Sequence, residues 1–265
     1  MFLRFGSELV DLSCPQVMAI VNVTPDSFVQ GCRCVTEVQA LRMCATALQQ
    51  GAAILDVGAC STRPGSTPVD EAAEWSRLQP ALRAIRNAYP EARLSVDTFR
   101  PAIARKAIDL YHVGLINDVS GGTDAMYELV AEKKVAYILT FNEQVDEEED
   151  IVVRCLDFIA RRADQLHRLG VADVIADPGF GFNKSLAQNY RLLSRLALLR
   201  PAGLPLLVGI SRKSMIYKPL DIKSEDALIG TTALHALALQ NGANILRVHD
   251  VQAAHQVITL CSYCS

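Results

Sequence analysis

The chain alternates short apolar runs with longer amphipathic segments over almost its whole length. The apolar runs are VMAIVN, AAILDV, ARLSVD, VGLIND, VAYILT, ADVIAD, PLLVGI and NILRVH. Continuous apolar runs of this length are typical of strands buried on both faces, as in parallel sheets. Upstream of them, FLRF and ELVDL flank Gly6 and Ser7, a pattern that predicts a hairpin. We therefore predict a short N-terminal hairpin followed by eight buried strands.

The segments between these strands repeat their apolar residues with the helical period of 3.6. Gly51 and Gly170 lie just after two of the segments, and Pro101 lies near the start of another, as expected at helix ends. In the fifth segment, the acidic run DEEED suits a helix N-terminus, where the helix dipole favours carboxylates. The predicted helices are 37–50, 70–89, 100–112, 123–133, 146–169, 185–199, 224–240 and 252–260.

Eight strand–helix units in a chain of 265 residues match a (β/α)8 barrel. An open doubly wound sheet is the alternative, but it needs a Gly-rich dinucleotide turn after an early strand, and VNVTPDSF is not one. No linker or shift in composition divides the chain. We therefore predict an α/β fold, a TIM barrel with a short N-terminal β-hairpin, as a single domain over residues 1–265.

Composition narrows the function classes. The 26 Lys and Arg residues nearly balance the 29 Asp and Glu residues, with no basic block, which argues against nucleic-acid binding. No stretch of about 18 apolar residues predicts a membrane span or secretion, so we expect a cytoplasmic protein. The eight cysteines are scattered and expected to be thiols, and CSYC at the C-terminus lacks a second pair that would complete a zinc site.

Polar residues lie near the ends of the eight strands or in the loops that follow them, and for seven of the strands these residues are strongly polar. In chain order the strand ends and following loops supply Asn22, Asp56, Asp97, Asn117, the loop 140–142, Asp177, Lys213, and Arg247 with His249. Any one of these residues could cap a helix or form a turn. Their convergence on the face where barrels carry their active sites predicts a functional site there.

The chemistry of these groups divides into two sets. Carboxylate and carboxamide groups at Asp97, Asn117 and Asp177 suit a flat heterocycle with N–H and ring-nitrogen edges. Lys213 and Arg247 can bind a ring carbonyl or stack on a π-face. A second set, predicted to lie nearer the rim, suits a phosphate-like anion and consists of Asn22, Arg63, Arg247 and His249.

Seven motifs together resemble, in order, the signatures of the dihydropteroate synthase family. They are VNVTPDSF, ILDVGACSTRPG, LSVDT, INDVSGG, IADPGFGF, VGISRKS and ILRVHDV, spread over residues 17–251. The resemblance implies a transferase of folate biosynthesis. Such an enzyme joins 6-hydroxymethyl-7,8-dihydropterin diphosphate to 4-aminobenzoate, giving 7,8-dihydropteroate and pyrophosphate. It also implies a homodimer with small-molecule substrates and no other partner class.

The resemblance also implies roles for residues at matching positions. Pterin binding falls to Asp97, Asn117, Asp177, Lys213 and Arg247. The wall around 4-aminobenzoate consists of Thr62, Arg63, Pro64, Phe182, Lys213 and Ser214. Diphosphate binding falls to Asn22, Arg63, Arg247 and His249, with Asn22 also placed at Mg²⁺. The residues expected to matter most for catalysis are Asp97, Lys213, Asn22, Arg247 and His249.

The implied chemistry needs electrostatic stabilisation rather than a nucleophilic side chain. Loss of pyrophosphate leaves a cation that an electron-rich dihydropterin can delocalise, so an SN1-like path is expected. Lys213 would face the pterin carbonyl, and Ser214 would begin a short helix whose N–H groups suit the benzoate carboxylate. For Arg212 we expect a solvated or loop-bracing role.

The chain departs from the usual family pattern in several places. VQGCRC replaces a Ser-Asp-Gly-Gly run, Cys60 replaces a Glu, and Thr140, Phe141 and Asn142 replace a Met-His-Met run. GFNKS also replaces a commoner Gly-Lys-Thr ending. Three alternatives stay open: a divergent synthase, a pterin-binding paralogue without turnover, and a methyltetrahydrofolate-dependent methyltransferase. The retained charged positions favour the synthase, while turnover, sulfonamide sensitivity and a redox or metal role for Cys32, Cys34 and Cys60 are left open.

Overall fold

The structure, a computed structural model, describes residues 1–6, 8–23, 33–60 and 69–264, without the side chains of 33–36 and 201. An antiparallel hairpin comes first, with strands β1 (Phe2–Phe5) and β2 (Glu8–Asp11). The later strands are β3 (Gln16–Asn22), β4 (Ile54–Gly58), β5 (Leu94–Asp97), β6 (Leu115–Asp118), β7 (Ala136–Thr140), β8 (Val174–Asp177), β9 (Leu207–Val208) and β10 (Ile245–Val248). Both the hairpin and the strand positions agree with the prediction from sequence.

Helices separate the later strands. They are α1 (Arg33–Gln49), α2 (Glu71–Ala88), α3 (Pro101–Tyr111), α4 (Asp124–Lys133), α5 (Ile151–Arg168), α6 (Leu186–Ser194), α7 (Ser214–Tyr217), α8 (Leu228–Gln240) and α9 (Val251–Ser262). Two 3₁₀ segments, Leu196–Ala202 and Ser224–Asp226, follow α6 and precede α8. Among the described residues, none of these helices combines the length and apolar character that crossing a membrane requires.

The strands β3 to β10 form a nearly closed parallel barrel. Their order in the sheet is β8-β7-β6-β5-β4-β3-β10-β9, and every neighbouring pair is parallel. A parallel bridge between Ala176 and Leu206 brings the ends of this order together. This arrangement confirms the predicted TIM barrel.

Two apolar clusters stabilise the barrel. The larger one lies between the strands and the surrounding helices. The smaller one fills the barrel interior, where Met18, Ile54 and Ile245 meet Leu3 and Phe5 of the hairpin. The hairpin therefore closes one end of the barrel with apolar side chains and leaves polar chemistry to the other end.

Some helix boundaries differ from those predicted, each because of local hydrogen bonding. The acidic run precedes α5 rather than forming its first turn, since the Asp150 carboxylate caps the helix by accepting from the Val152 N–H at 2.9 Å. The predicted helix 185–199 is interrupted after Ser194, where the backbone tightens into 3₁₀ bonds, such as Leu198 N–H to Arg195 O at 2.9 Å. The predicted helix 224–240 likewise begins as a 3₁₀ turn.

Candidate active site

Strand register brings the polar strand ends to the same level. Asp56 on β4 pairs with Ser95 on β5, and Asp97 pairs with Asn117 on β6. Further round the barrel, Thr140 pairs with Asp177. Because the strands are parallel, all these residues lie toward the C-terminal face, where the sequence predicted a site.

Asp56 is the centre of a buried hydrogen-bond network. Its Oδ1 accepts from the Ser95 hydroxyl at 2.6 Å. Its Oδ2 accepts from Asn117 Nδ2 at 2.8 Å and from Arg247 Nε at 2.7 Å. A fully buried carboxylate is stable only with such partners. The sequence placed Asp56 at a strand end but assigned it no role, because the pairing depends on β10 lying beside β3, which separates it from β4.

Arg247 connects this network to Asp97. The Nη2 atom of Arg247 donates to Asp97 Oδ2 at 2.7 Å. One guanidinium group therefore bridges the carboxylates of Asp56 and Asp97. Burial raises the pKa of Asp97 to about 7, Arg247 opposes that rise, and the nearby Asp56 adds to it. The site therefore holds a carboxyl group whose charge changes near neutral pH.

Asn117 contributes an acceptor that is not used. Its Oδ1 is buried and has no hydrogen-bond partner among the described residues, although its Nδ2 is bound to Asp56. Buried polar atoms in folded proteins almost always have a partner. An unpaired carboxamide oxygen beside Asp97 is what a ring N–H of a bound heterocycle requires.

Asp177 lies at the end of β8 and is held by hydrogen bonds of its own. Its Oδ1 accepts from the Gly179 N–H at 2.8 Å, and its Oδ2 accepts from the Thr140 hydroxyl at 3.3 Å. Burial raises the pKa of Asp177, and Lys213 acts against that rise. Thr140, one of the residues that departs from the family pattern, thus holds a predicted pterin-binding carboxylate.

Lys213 lies between the loop after β8 and the start of α7. Its ammonium group donates to Phe180 O and lies 4.5 Å from the centroid of the Phe182 ring. Burial lowers the pKa of Lys213 to about 8, and Asp177 opposes this. Ser214 is the first residue of α7, so the predicted short helix is present.

Two of the residues predicted for the anion, His249 and Asn22, lie at the C-terminal ends of their strands. His249 Nδ1 is 3.1 Å from the Ser211 hydroxyl, which also accepts from the His249 backbone N–H at 3.2 Å. Asn22 is the last residue of β3 and lies in register with Gly58.

Some sequence predictions fall on residues that the structure does not describe. Thr62, Arg63, Pro64 and Cys32 lie outside the described residues, as does the side chain of Cys34. Cys60 is described as a partly buried free thiol. Of the residues predicted to form the aminobenzoate wall, the structure therefore describes only Phe182, Lys213 and Ser214.

Arg212 makes its hydrogen bonds beside the site, to residues outside the network around Asp56. It makes two hydrogen bonds to Asp250, Nε to Oδ2 at 2.7 Å and Nη2 to Oδ1 at 2.6 Å. It also donates to Glu225 O at 3.2 Å. These contacts agree with the loop-bracing alternative for Arg212.

Comparison with known proteins agrees with this architecture. A family model described as "Pterin binding enzyme" matches residues 18–249. The dihydropteroate synthase of Haemophilus influenzae is 35% identical over 97% of this chain and 97% of its own length. Two solved dihydropteroate synthases superpose closely. The Xanthomonas albilineans enzyme with 4-aminobenzoic acid has a TM-score of 0.93, with 35% identity over 99% of this chain and 97% of its own.

The second, the Yersinia pestis enzyme in a sulfonamide drug complex, has a TM-score of 0.92, with 34% identity over 100% of this chain and 99% of its own. These relatives share one name and do not favour the paralogue or methyltransferase alternatives. The chain belongs to the pterin-binding enzyme family, within the dihydropteroate synthases.

Proposed function

We propose that the C-terminal face of the barrel carries out the dihydropteroate synthase reaction with the buried network around Asp56 as its pterin site. The enzyme is a transferase that joins 6-hydroxymethyl-7,8-dihydropterin diphosphate to 4-aminobenzoate. The observation that carries the residue assignment is the unpaired Asn117 Oδ1 beside the Asp97–Arg247 pair. Together they offer an acceptor, a carboxylate and a cation to one edge of a flat ring.

The pterin site stabilises positive charge on the ring. Asp97 and Asp177 are buried carboxyl groups whose pKa values are raised by burial. A cationic ring next to them favours their ionised forms, because an opposite charge close by offsets the cost of desolvation. Arg247, whose Nε and Nη2 are bound to Asp56 and Asp97, would pack over the ring face, and Lys213 would hydrogen-bond the ring carbonyl.

The leaving diphosphate is stabilised by Asn22, Arg63, Arg247 and His249. Magnesium fits this arrangement as an ion held largely by the substrate. Among the described residues, no group of three or more His, Cys, Asp or Glu side chains could hold a metal ion. Mg²⁺ commonly takes few protein ligands and binds substrate phosphates and water. Asn22 would supply one carboxamide oxygen, and the ion would neutralise charge on the diphosphate.

The aminobenzoate site consists of Phe182, Lys213 and Ser214 together with Thr62, Arg63 and Pro64. The aromatic face of Phe182 suits stacking with the benzoate ring, and the start of α7 suits its carboxylate. Support comes from the Xanthomonas albilineans relative, whose solved structure contains 4-aminobenzoic acid.

The reaction follows a dissociative path. The bond between the pterin methylene carbon and the diphosphate oxygen breaks first, and the electron pair leaves with the diphosphate. The aniline nitrogen then donates its lone pair to the methylene carbon and loses a proton. The aniline is neutral at pH 7, so the site needs to position it rather than activate it.

An exposed apolar stripe on α8 supports a homodimer. Ile229 is 83% exposed and Leu237 is 47% exposed, and the exposed Ala233 lies between them at helical spacing. Apolar residues at i, i+4 and i+8 lie on one helix face. We assign this face to a homodimer interface. We also expect a cytoplasmic enzyme, because the cysteines in the described part of the chain are free thiols.

A pyrophosphate-release assay tests the proposed reaction. With pterin diphosphate, 4-aminobenzoate and Mg²⁺, the enzyme should release one pyrophosphate for each 7,8-dihydropteroate formed. Leaving out 4-aminobenzoate should still allow slow release if the carbon–oxygen bond breaks first. A protein that binds pterin diphosphate tightly but never releases pyrophosphate would be a paralogue rather than a synthase.

A further inference from the structure

A chain of hydrogen bonds joins three neighbouring loops at the rim of the barrel. Asn142, just after β7, donates from Nδ2 to Val119 O in the loop after β6 at 2.7 Å. In turn Asn142 accepts from Asn183 Nδ2 in the loop after β8, at 3.0 Å through Oδ1 and at 3.2 Å through its backbone O. Two side chains therefore connect the loops that follow β6, β7 and β8.

The backbone of Asn183 explains why this position can carry a side chain. Its φ is +45°, in the left-handed region that glycine and asparagine adopt most readily. Asparagine tolerates this backbone conformation and adds the two hydrogen bonds to Asn142.

Lys184, the next residue, strengthens the same connection. Its ammonium group donates to three backbone oxygens: Phe141 O at 2.8 Å, Gly179 O at 3.0 Å and Phe182 O at 3.1 Å. All three ammonium protons of Lys184 are donated to backbone oxygens of these loops, so its positive charge has a structural role. The loop 179–185 is therefore fixed to the end of β7 at two successive residues.

That loop sets the position of Lys213. Phe180 O accepts from the Lys213 ammonium group, and the Phe182 ring lies 4.5 Å from it. Both contacts come from the segment that Asn183 and Lys184 attach to β7. A shift of the loop would thus move the Lys213 acceptor and the Phe182 ring together.

We propose that Asn142 and Asn183 are positioning residues that fix the loop 179–185, and through it Lys213 and Phe182, for binding 4-aminobenzoate. The proposal rests on the proposed function for the assignment of that wall to 4-aminobenzoate. It predicts a larger effect on this substrate than on the pterin. Lys213 and Asp177 also contact the loop, through Phe180 O and the Gly179 N–H, but Asp97 and Asn117 are held by Asp56 and Arg247 on other strands.

The test compares Asn183→Gly and Asn183→Asp with the wild type. Glycine preserves the left-handed backbone, and aspartate preserves the size of the side chain, but neither can donate to Asn142. Asn241→Ala serves as a matched control, because Asn241 makes a local bond to Leu237 O at 2.8 Å at the end of α8. Melting temperatures identify variants that lose folding rather than positioning.

Two readouts separate this proposal from the proposed function. Hydrogen exchange of the ligand-free protein should be faster in peptides covering 179–185 for both Asn183 variants and unchanged for Asn241→Ala. In steady-state assays, both variants should raise the KM for 4-aminobenzoate about 5-fold, the effect of one neutral hydrogen bond, and leave the KM for pterin diphosphate within about 2-fold. The double variant Asn142→Ala/Asn183→Gly should be no worse in this KM than Asn142→Ala alone, since the two residues share one contact.

Unchanged exchange in 179–185 would overturn the connection itself. Faster exchange with an unchanged KM for 4-aminobenzoate would overturn its role in positioning, as would equal rises in both KM values. If the wild-type protein released no pyrophosphate, the proposed function would fail, while the exchange experiment would still decide whether the pair fixes the loop.

Discussion

Arg247 Nε lies 2.7 Å from Asp56 Oδ2, forming an ion pair between β10 and β4, on either side of β3, in which the carboxylate is fully buried. The same guanidinium reaches Asp97 with its Nη2. Asp56 therefore determines where the Arg247 side chain is held. Its importance for the site exceeds what its place in the middle of β4 suggests.

Removing the Asp56 carboxylate should destabilise the fold. Asp56→Ala leaves Arg247 Nε, Asn117 Nδ2 and the Ser95 hydroxyl without their buried acceptor, and breaking one side of a buried ion pair commonly costs about 3–5 kcal/mol. The free energy of unfolding, measured by urea denaturation, checks this value. Asp56→Asn keeps the shape and a hydrogen-bond acceptor, so it should fold well enough for its KM for pterin diphosphate to be measured, and that KM should rise.

The exposed pair between Arg105 and Glu132 provides the control. Both side chains are about half exposed, at 46% and 53%. Exposed pairs contribute about 0–1 kcal/mol, so Glu132→Ala should change the free energy of unfolding by no more than that. Equal losses from Asp56→Ala and Glu132→Ala would contradict the central role of Asp56.

Activity should rise with pH through neutrality because of Asp97. Burial raises the pKa of Asp97 to about 7, and the ionised form is the one that pairs with a cationic pterin. We expect kcat/KM to increase as the pH passes from 6 to 8, as Asp97 loses its proton. Asp97→Asn should lower kcat/KM and remove this acidic limb, which steady-state assays across that range would measure.

The same pKa shift has a consequence for stability, with a definite sign. The ordinary pKa is 3.8, so between that value and about 7 the folded state binds the Asp97 proton more tightly than the unfolded state does. The contribution of Asp97 to stability should therefore fall as pH rises through this interval. Relative to wild type, Asp97→Asn should gain stability as pH rises, and a constant difference between the two would contradict the raised pKa.

The sequence predicted the barrel and the polar residues that follow its strands because both depend on local signals. Buried strands such as VAYILT can be recognised from their continuous apolar residues, and Asp97 and Asp177 lie at the ends of such strands. The partner of each group could not be predicted in this way. Asp56 meets Arg247 only after β10 lies beside β3, and Asn183 meets Asn142 only after two loops approach.

Lys213 should define the alkaline limit of activity. Burial lowers its pKa to about 8, so its positive charge is lost as pH rises above that value. We expect kcat/KM to fall above pH 8 in the wild type. Lys213→Arg should lower activity but shift that decline to higher pH, because an arginine keeps its charge.

Lys213→Ala tests the shared position of this side chain. It should raise the KM for both pterin diphosphate and 4-aminobenzoate, since the ammonium group lies between Asp177 and the Phe182 ring. Lys218→Ala, an exposed residue after α7, is the matched control and should leave both values unchanged. An effect on neither substrate would remove Lys213 from the site.

Chelation of divalent cations should abolish pyrophosphate release, and added Mg²⁺ should restore it. Asn22→Ala should raise the Mg²⁺ concentration for half-maximal activity several-fold, while saturating Mg²⁺ recovers much of the rate, because most ligands of the ion would come from diphosphate and water. The measurement is a Mg²⁺ titration at saturating substrates. A titration curve that is identical for wild type, Asn22→Ala and the control Asn241→Ala would exclude Asn22 from the metal site.

The apolar face of α8 should decide the oligomeric state. Ile229 is 83% exposed, and a charge at the centre of an apolar interface leaves a desolvated group without a partner. Sedimentation velocity should give twice the 28.9 kDa chain mass for the wild type and the single chain mass for Ile229→Asp. Leu110→Asp is the control, because Leu110 is a similarly exposed apolar residue on α3, at 56%, and should leave the dimer intact.

Since the proposed active site lies within one barrel, the Ile229→Asp monomer should keep a measurable rate of pyrophosphate release. A wild type that sediments as a monomer would instead show that this apolar face serves a different contact.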